Sequence, residues 1–132
     1  MKESPIFVRM YDLLLWLIPQ VVKFPRAHRF GLGERVTRQA LDLQETLIAA
    51  GLRKGDQRQA CLAQADTQLA QLRASLRLCK DLQLLTLGQY EYAAGRVVEI
   101  GRLLGGWQKI KAQSGQAVGE AGGAGRLLEQ QS

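Results

Sequence analysis

Arginine is the side chain best placed to do chemistry in this sequence. Arg73, Arg77 and Lys80 stand at i, i+4 and i+7, which on a helix sets them in one stripe about 10 Å long. A guanidinium binds phosphate through two N–H groups at once and stacks on bases. A stripe of this length matches successive phosphates of a nucleic-acid backbone. Arg35 and Arg38 add a second pair, Arg26 and Arg29 a third, and Arg53, Lys54 and Arg58 a basic loop. Arg96, Arg102, Lys109 and Lys111 follow further along. Any single stripe is more often a solvated helix face; the accumulation over several elements shifts that balance towards a polyanion.

Catalytic and metal chemistry finds little support. Gly31-Leu-Gly33-Glu-Arg-Val36 opens like a dinucleotide fingerprint, but Val36 stands where the third glycine belongs and no strand precedes it. No Gly-Lys-Ser/Thr phosphate loop occurs. The pairs Asp42/Glu45 and Glu91/Glu99 lack a histidine or metal motif beside them and read as solvated or ion-paired carboxylates. His28, the single histidine, lies in the basic segment Arg26-Ala-His-Arg29, where capping or a phosphate contact suits it better than catalysis. Cys61 and Cys79 are 18 residues apart on one predicted helix, about 27 Å along its axis, too far to pair. Both read as core filling. The expectation is a non-enzymatic protein with no cofactor and no metal.

The charge balance agrees with a polyanion ligand. The 132 residues carry a net charge of +6. Residues 1–112 hold 17 basic and 10 acidic side chains, a net of +7. At this length a single domain with its own core is expected. The apolar run Leu13–Phe24 is interrupted by Gln20 and Lys23 and lacks a signal-peptide cleavage site. It is also shorter than the ~20 residues a bilayer requires. These features point to a cytoplasmic protein with reduced thiols and no membrane partner.

The elements that must position the arginines are helices, since the hydrophobic period is helical throughout. Ser4-Pro5 suits a helix start, with the serine as cap. Ile6, Met10, Leu13, Leu17, Val21 and Phe24 then share a face, with Pro19 expected to kink it. A second helix starts near Pro25-Arg26, weakened by Gly31 and Gly33, and carries Val36, Ala40, Leu43, Leu47 and Ala50 inward. Gly51 is its expected stop. Asp56 is the expected cap of a third helix, whose Leu62, Ala65, Leu69, Leu72, Leu76 and Cys79 step as a heptad seam. Thr86 is the expected cap of a fourth, with Tyr90, Ala93, Val97, Ile100, Leu104 and Trp107 in the same rhythm. On this helix Gly95, Gly101, Gly105 and Gly106 suggest close backbone approach within the bundle or between subunits. Trp16, Tyr92 and Trp107 are candidate interface aromatics. The fold expected is all-α: an up-down-up-down four-helix bundle over residues 1–112 with a disordered, glycine-rich tail over 113–132.

Three stretches also carry a resemblance. Phe24-Pro-Arg-Ala-His28, Arg73-Ala-Ser-Leu-Arg77 and Val97-Val-Glu-Ile-Gly-Arg-Leu-Leu-Gly-Gly-Trp107 occur in the order and spacing found in the accessory variability determinant (Avd) family of diversity-generating retroelements. The chain resembles that family over roughly residues 8–112. It is also similar to the related four-helix proteins of ribosomal-RNA intervening sequences.

The Avd resemblance implies a barrel-like homopentamer with a positive surface that binds RNA and DNA and a reverse transcriptase. Such complexes copy a template RNA into mutated cDNA during mutagenic retrohoming, and the accessory protein brings no catalytic residue. Carried onto this sequence, Arg73 and Arg77 become the first candidates for contact with RNA or the reverse transcriptase. Arg26 and Arg29 come next; Lys80, Arg35, Arg38, Arg102 and Lys109 complete the basic set. The alternatives are a structural or protein-interaction oligomer of the intervening-sequence type, and an interfacial membrane binder using helix one.

Overall fold

The structure, a computed structural model, describes the backbone of residues 4–122 and the side chains of residues 4–110. The described elements are helical, with no strand among them. They are α1 (Pro5–Val22), one turn α2 (Arg26–His28), a π-helical turn (Arg29–Gly33), α3 (Glu34–Leu52), α4 (Gly55–Asp81) and α5 (Leu87–Gly122). The four long helices form a bundle in which α1 and α4 each pack against both α3 and α5.

The seams form because apolar side chains recur once per turn on each helix. All the inward positions named from the sequence on the first two long helices are buried, and so is the whole α4 seam Leu62, Ala65, Leu69, Leu72, Leu76 and Cys79. On α5, Ala93, Val97, Ile100 and Leu104 are buried, with Tyr90 and Trp107 half-buried against them. The one buried polar side chain among the described residues is Thr46, whose hydroxyl donates to Asp42 O at 3.1 Å.

Named contacts give the register of each seam. Between α1 and α5, Phe7 meets Trp107 with ring centres 6.0 Å apart, Arg9 meets Glu99 at 3.4 Å, Trp16 meets Tyr92 at 5.0 Å and Gln20 meets Gln89 at 3.4 Å. Between α1 and α3, Phe7 lies beside Gly51, and Val21 lies beside Gly33 in the π turn that leads into α3. Between α4 and α5, Arg58 meets Trp107, Leu69 meets Gly101 and Lys80 meets Tyr90. Between α3 and α4, Arg58 meets Ala50, whereas Gln71 shares a cleft with Arg38.

The helix ends depart from several expectations. Ser4 makes no side-chain cap; its carbonyl instead accepts from Phe7 and Val8. Pro19 lies inside α1 as expected, and its missing donor leaves the Leu15 carbonyl on an exposed stretch where water can serve it. Gly51 lies inside the last turn of α3 rather than stopping it, and the positive φ of the connection falls at Gly55, at 59°. Asp56 therefore sits in the first turn of α4, favourable to the helix dipole but not a cap. Thr86 behaves as expected. Its hydroxyl accepts from Gln89 N at 3.1 Å while Gln89 Oε1 accepts from Thr86 N at 2.9 Å, a reciprocal capping box.

Two further expectations change. Starting at Pro5, α1 is an 18-residue apolar helix of mean hydropathy 1.4, long enough by length and composition to cross a membrane; in the bundle it buries six side chains. α5 runs to Gly122, past the boundary placed at 112. The remainder of the expected tail, 123–132, lies outside the described residues.

Candidate nucleic-acid interface

The positive side chains are distributed by the helices that carry them. On α4, Arg73 and Arg77 lie on the flank turned towards α5, the side on which Lys80 sits 4.9 Å from the Tyr90 ring centre. Arg73 is exposed and forms no ion pair with a described residue. The Arg77 side chain is 72% exposed, and its contact with Asp81 at 3.9 Å is long and solvated, so it leaves the guanidinium largely free. Lys80 differs. It is half-buried, 3.3 Å from Asp81 and seated on Tyr90, so it braces the α4–α5 connection rather than completing the stripe.

Arg35 and Arg38 project from the first turns of α3 into a cleft of about 510 Å³ between α3 and α4. Phe30, Gly31, Glu34, Gln39, Asp42 and Gln71 line the rest of it. Both arginines are exposed. Because Gln71 and Arg73 are two residues apart on a helix, they point to different sides. The Arg35/Arg38 cleft and the Arg73/Arg77 flank are thus separate surfaces.

The short turn preceding α3 divides its two arginines. Arg26 is exposed. Arg29 is half-buried, and its terminal nitrogen donates to Phe24 O at 3.3 Å, so it holds the turn closed instead of reaching outward. Arg102 and Lys109 are exposed on α5. Arg102 contacts Glu99 at 3.6 Å and lines a pocket with Ser4 and Ile6 at the α1–α5 seam, on the side of the bundle opposite the α3–α4 cleft. The nine expected binding residues therefore surround the bundle in separate groups rather than forming one patch, and two of them, Arg29 and Lys80, face inward.

Two other basic residues are structural. Arg58 donates through Nε to Ala50 O and Arg53 O, both at 2.9 Å. These carbonyls end α3 and have no helical partner, so the guanidinium acts as its C-terminal cap. Arg9 bridges Asp12 on its own helix and Glu99 on α5.

Trp16 and Trp107 are half-buried against the core, and Tyr92 packs on Trp16 and beneath Arg96. Exposed apolar side chains occur on α1 and α3, at Tyr11, Leu15, Ile18, Val22, Ile48 and Leu52, and also on and just after α4, at Leu78 and Leu82, and on α5, at Tyr92 and Val98. Of the helix-four glycines only Gly101 has a close neighbour, Leu69 at 3.2 Å; a Cβ at Gly95, Gly105 or Gly106 would meet open space. Phe30, 69% exposed beside two arginines, is a feature the sequence reading missed. Its place off the apolar period, next to a glycine, is the signal that could have found it.

His28 is half-buried in α2, and no group of three potential metal-ligating side chains occurs among the described residues. Burial raises the Cys79 thiol to a pKa of about 11, so it remains a neutral core side chain. A family model described as bAvd-like matches residues 6–111, which takes in nearly all of α1, all of α3 and α4, and α5 as far as Lys111. No curated protein matches the chain.

Proposed function

The chain belongs to the bAvd-like family, and on that premise we propose that it is a non-enzymatic accessory protein of a diversity-generating retroelement. In this reading it binds template RNA or cDNA and a reverse transcriptase, and so supports mutagenic cDNA synthesis and retrohoming in the cytoplasm. The observation that carries the reading is the pair Arg73 and Arg77, one turn apart on a well-packed helix and open to solvent. Arg26, Arg35, Arg38, Arg102 and Lys109 extend the field around the bundle. The bundle itself is read as up-down-up-down, because in each seam the partner's number falls as the first helix advances.

A homopentamer, as the resemblance implies, would bring the separate basic groups of neighbouring subunits together. Five copies of residues 1–112, each at +7, would present a charge of about +35, enough for avid binding with little sequence preference. The exposed apolar side chains of α1 and α3 offer a surface for association between copies. They also support a second reading, a purely structural oligomer of the intervening-sequence type. Electrophoretic mobility shift with RNA and DNA across a salt series separates the two. Accessory function requires binding that weakens steeply with salt; the structural reading requires none at physiological ionic strength.

A further inference from the structure

We propose that the cleft between α3 and α4 holds an unpaired base, stacked on Phe30, with its flanking phosphates on Arg35 and Arg38. The proposal rests on the nucleic-acid reading above and assigns to one site the single-stranded form of the ligand.

The π-helical turn Arg29–Gly33 sets the geometry. It is anchored at Gly33, where a Cβ would lie 2.9 Å from Val21 and 3.2 Å from both His28 O and a Phe24 ring carbon. Arg29 ties the same turn to Phe24 O. With both ends fixed, the widened turn directs Phe30 outward, 69% exposed, although phenylalanine is normally a core residue. An aromatic ring held at the mouth of a polar cleft is a stacking platform, and every nucleobase has a π-face to offer it.

The remaining lining suits a base edge better than a run of phosphates. Glu34 and Asp42 offset Arg35 and Arg38, so the cleft has no net charge to attract a polyanion by itself. Carboxylates and amides accept from base N–H groups, which a phosphate lacks. Gln39 lines the cleft beside them with a side-chain amide of its own. Gln71 supplies a further amide from α4. The two arginines line the same cleft and are exposed, so phosphates on either side of a stacked base could reach them. In a duplex the base faces are already stacked and its edges paired, so the cleft selects single strands.

The test compares binding of three probes to the full chain: a short oligoadenylate, an abasic strand of the same length, and the corresponding duplex. Phe30→Ala is expected to weaken oligoadenylate binding about tenfold, with abasic and duplex binding unchanged and helicity intact. Phe30→Tyr should restore the affinity. Equal weakening on all three probes, or on none, overturns the base-stacking site while leaving the arginine-based reading standing. Failure of the wild-type chain to bind any probe overturns both. A Phe30→Ala chain that binds every probe normally but loses a protein partner reassigns the cleft to protein recognition and also overturns the proposal.

Discussion

The guanidinium of Arg58 lies 5.7 Å from the centre of the Trp107 ring while its Nε caps the end of α3 through Ala50 O and Arg53 O. One side chain of α4 thereby joins α3 and α5 at a single end of the bundle. Arg58→Ala removes the cap and the ring contact together and is expected to destabilise the fold by about 1–3 kcal/mol. Lysine cannot reproduce the planar arrangement, so Arg58→Lys should recover little. Urea melts followed by circular dichroism measure both. Unchanged stability in Arg58→Ala would show that water satisfies those carbonyls equally well.

The two glycines of the π turn should respond in opposite ways. Gly33→Ala forces a methyl group to within 3.2 Å of the His28 carbonyl and closer still to Val21. A loss of about 1–3 kcal/mol is expected from the overpacking. Gly31 has open space around it and a negative φ, so Gly31→Ala should be neutral or stabilising by up to ~1 kcal/mol. Thermal unfolding of the two variants side by side decides this.

Replacing Arg73 and Arg77 together by alanine should weaken RNA binding evenly across sequences. The slope of log affinity against log salt should fall by about 1 for each phosphate that is no longer neutralised. Stability should change little, because Arg73 is unpaired among the described residues and the Arg77–Asp81 contact is exposed. Salt-dependent filter binding, with a melt on the same sample, is the measurement. If the melt shifts and the slope does not, these arginines serve the fold.

Cys79 gives a pH signature. Its folded pKa of about 11 is above the ordinary thiol value of 9.0. In the window between those values the unfolded thiol loses its proton and the folded one keeps it. The unfolded state then binds fewer protons, so stability falls as pH rises from about 9 to about 11. Cys79→Ala should flatten that part of the slope. Thiol labelling at mildly alkaline pH should modify half-buried Cys61 and leave Cys79 untouched until the chain unfolds.

The helices and their inward faces could be read from the sequence because burial follows period. Leu62, Ala65, Leu69, Leu72, Leu76 and Cys79 occur at the spacing a packed seam imposes, and each is buried. The basic positions were equally visible as residue types, but their directions were not. Arg29, Lys80 and Arg58 carry the same charge as Arg73 yet direct it to a carbonyl, an aromatic ring and a helix end. Those choices depend on which neighbour folding brings near. The π turn was hidden for a similar reason: Gly31 and Gly33 signalled a weak helix start, and only the approach of Val21 to Gly33 shows why the chain widens there.

Cohesion and charge are kept apart in this molecule. Among the described residues its interior is almost wholly aliphatic, and most of its positive side chains sit in water at the periphery. Dissolved ions screen the latter and leave the former untouched. Raising ionic strength should therefore detach an anionic cargo from a carrier that remains folded, making loading and unloading a reversible cycle with no need to refold between rounds.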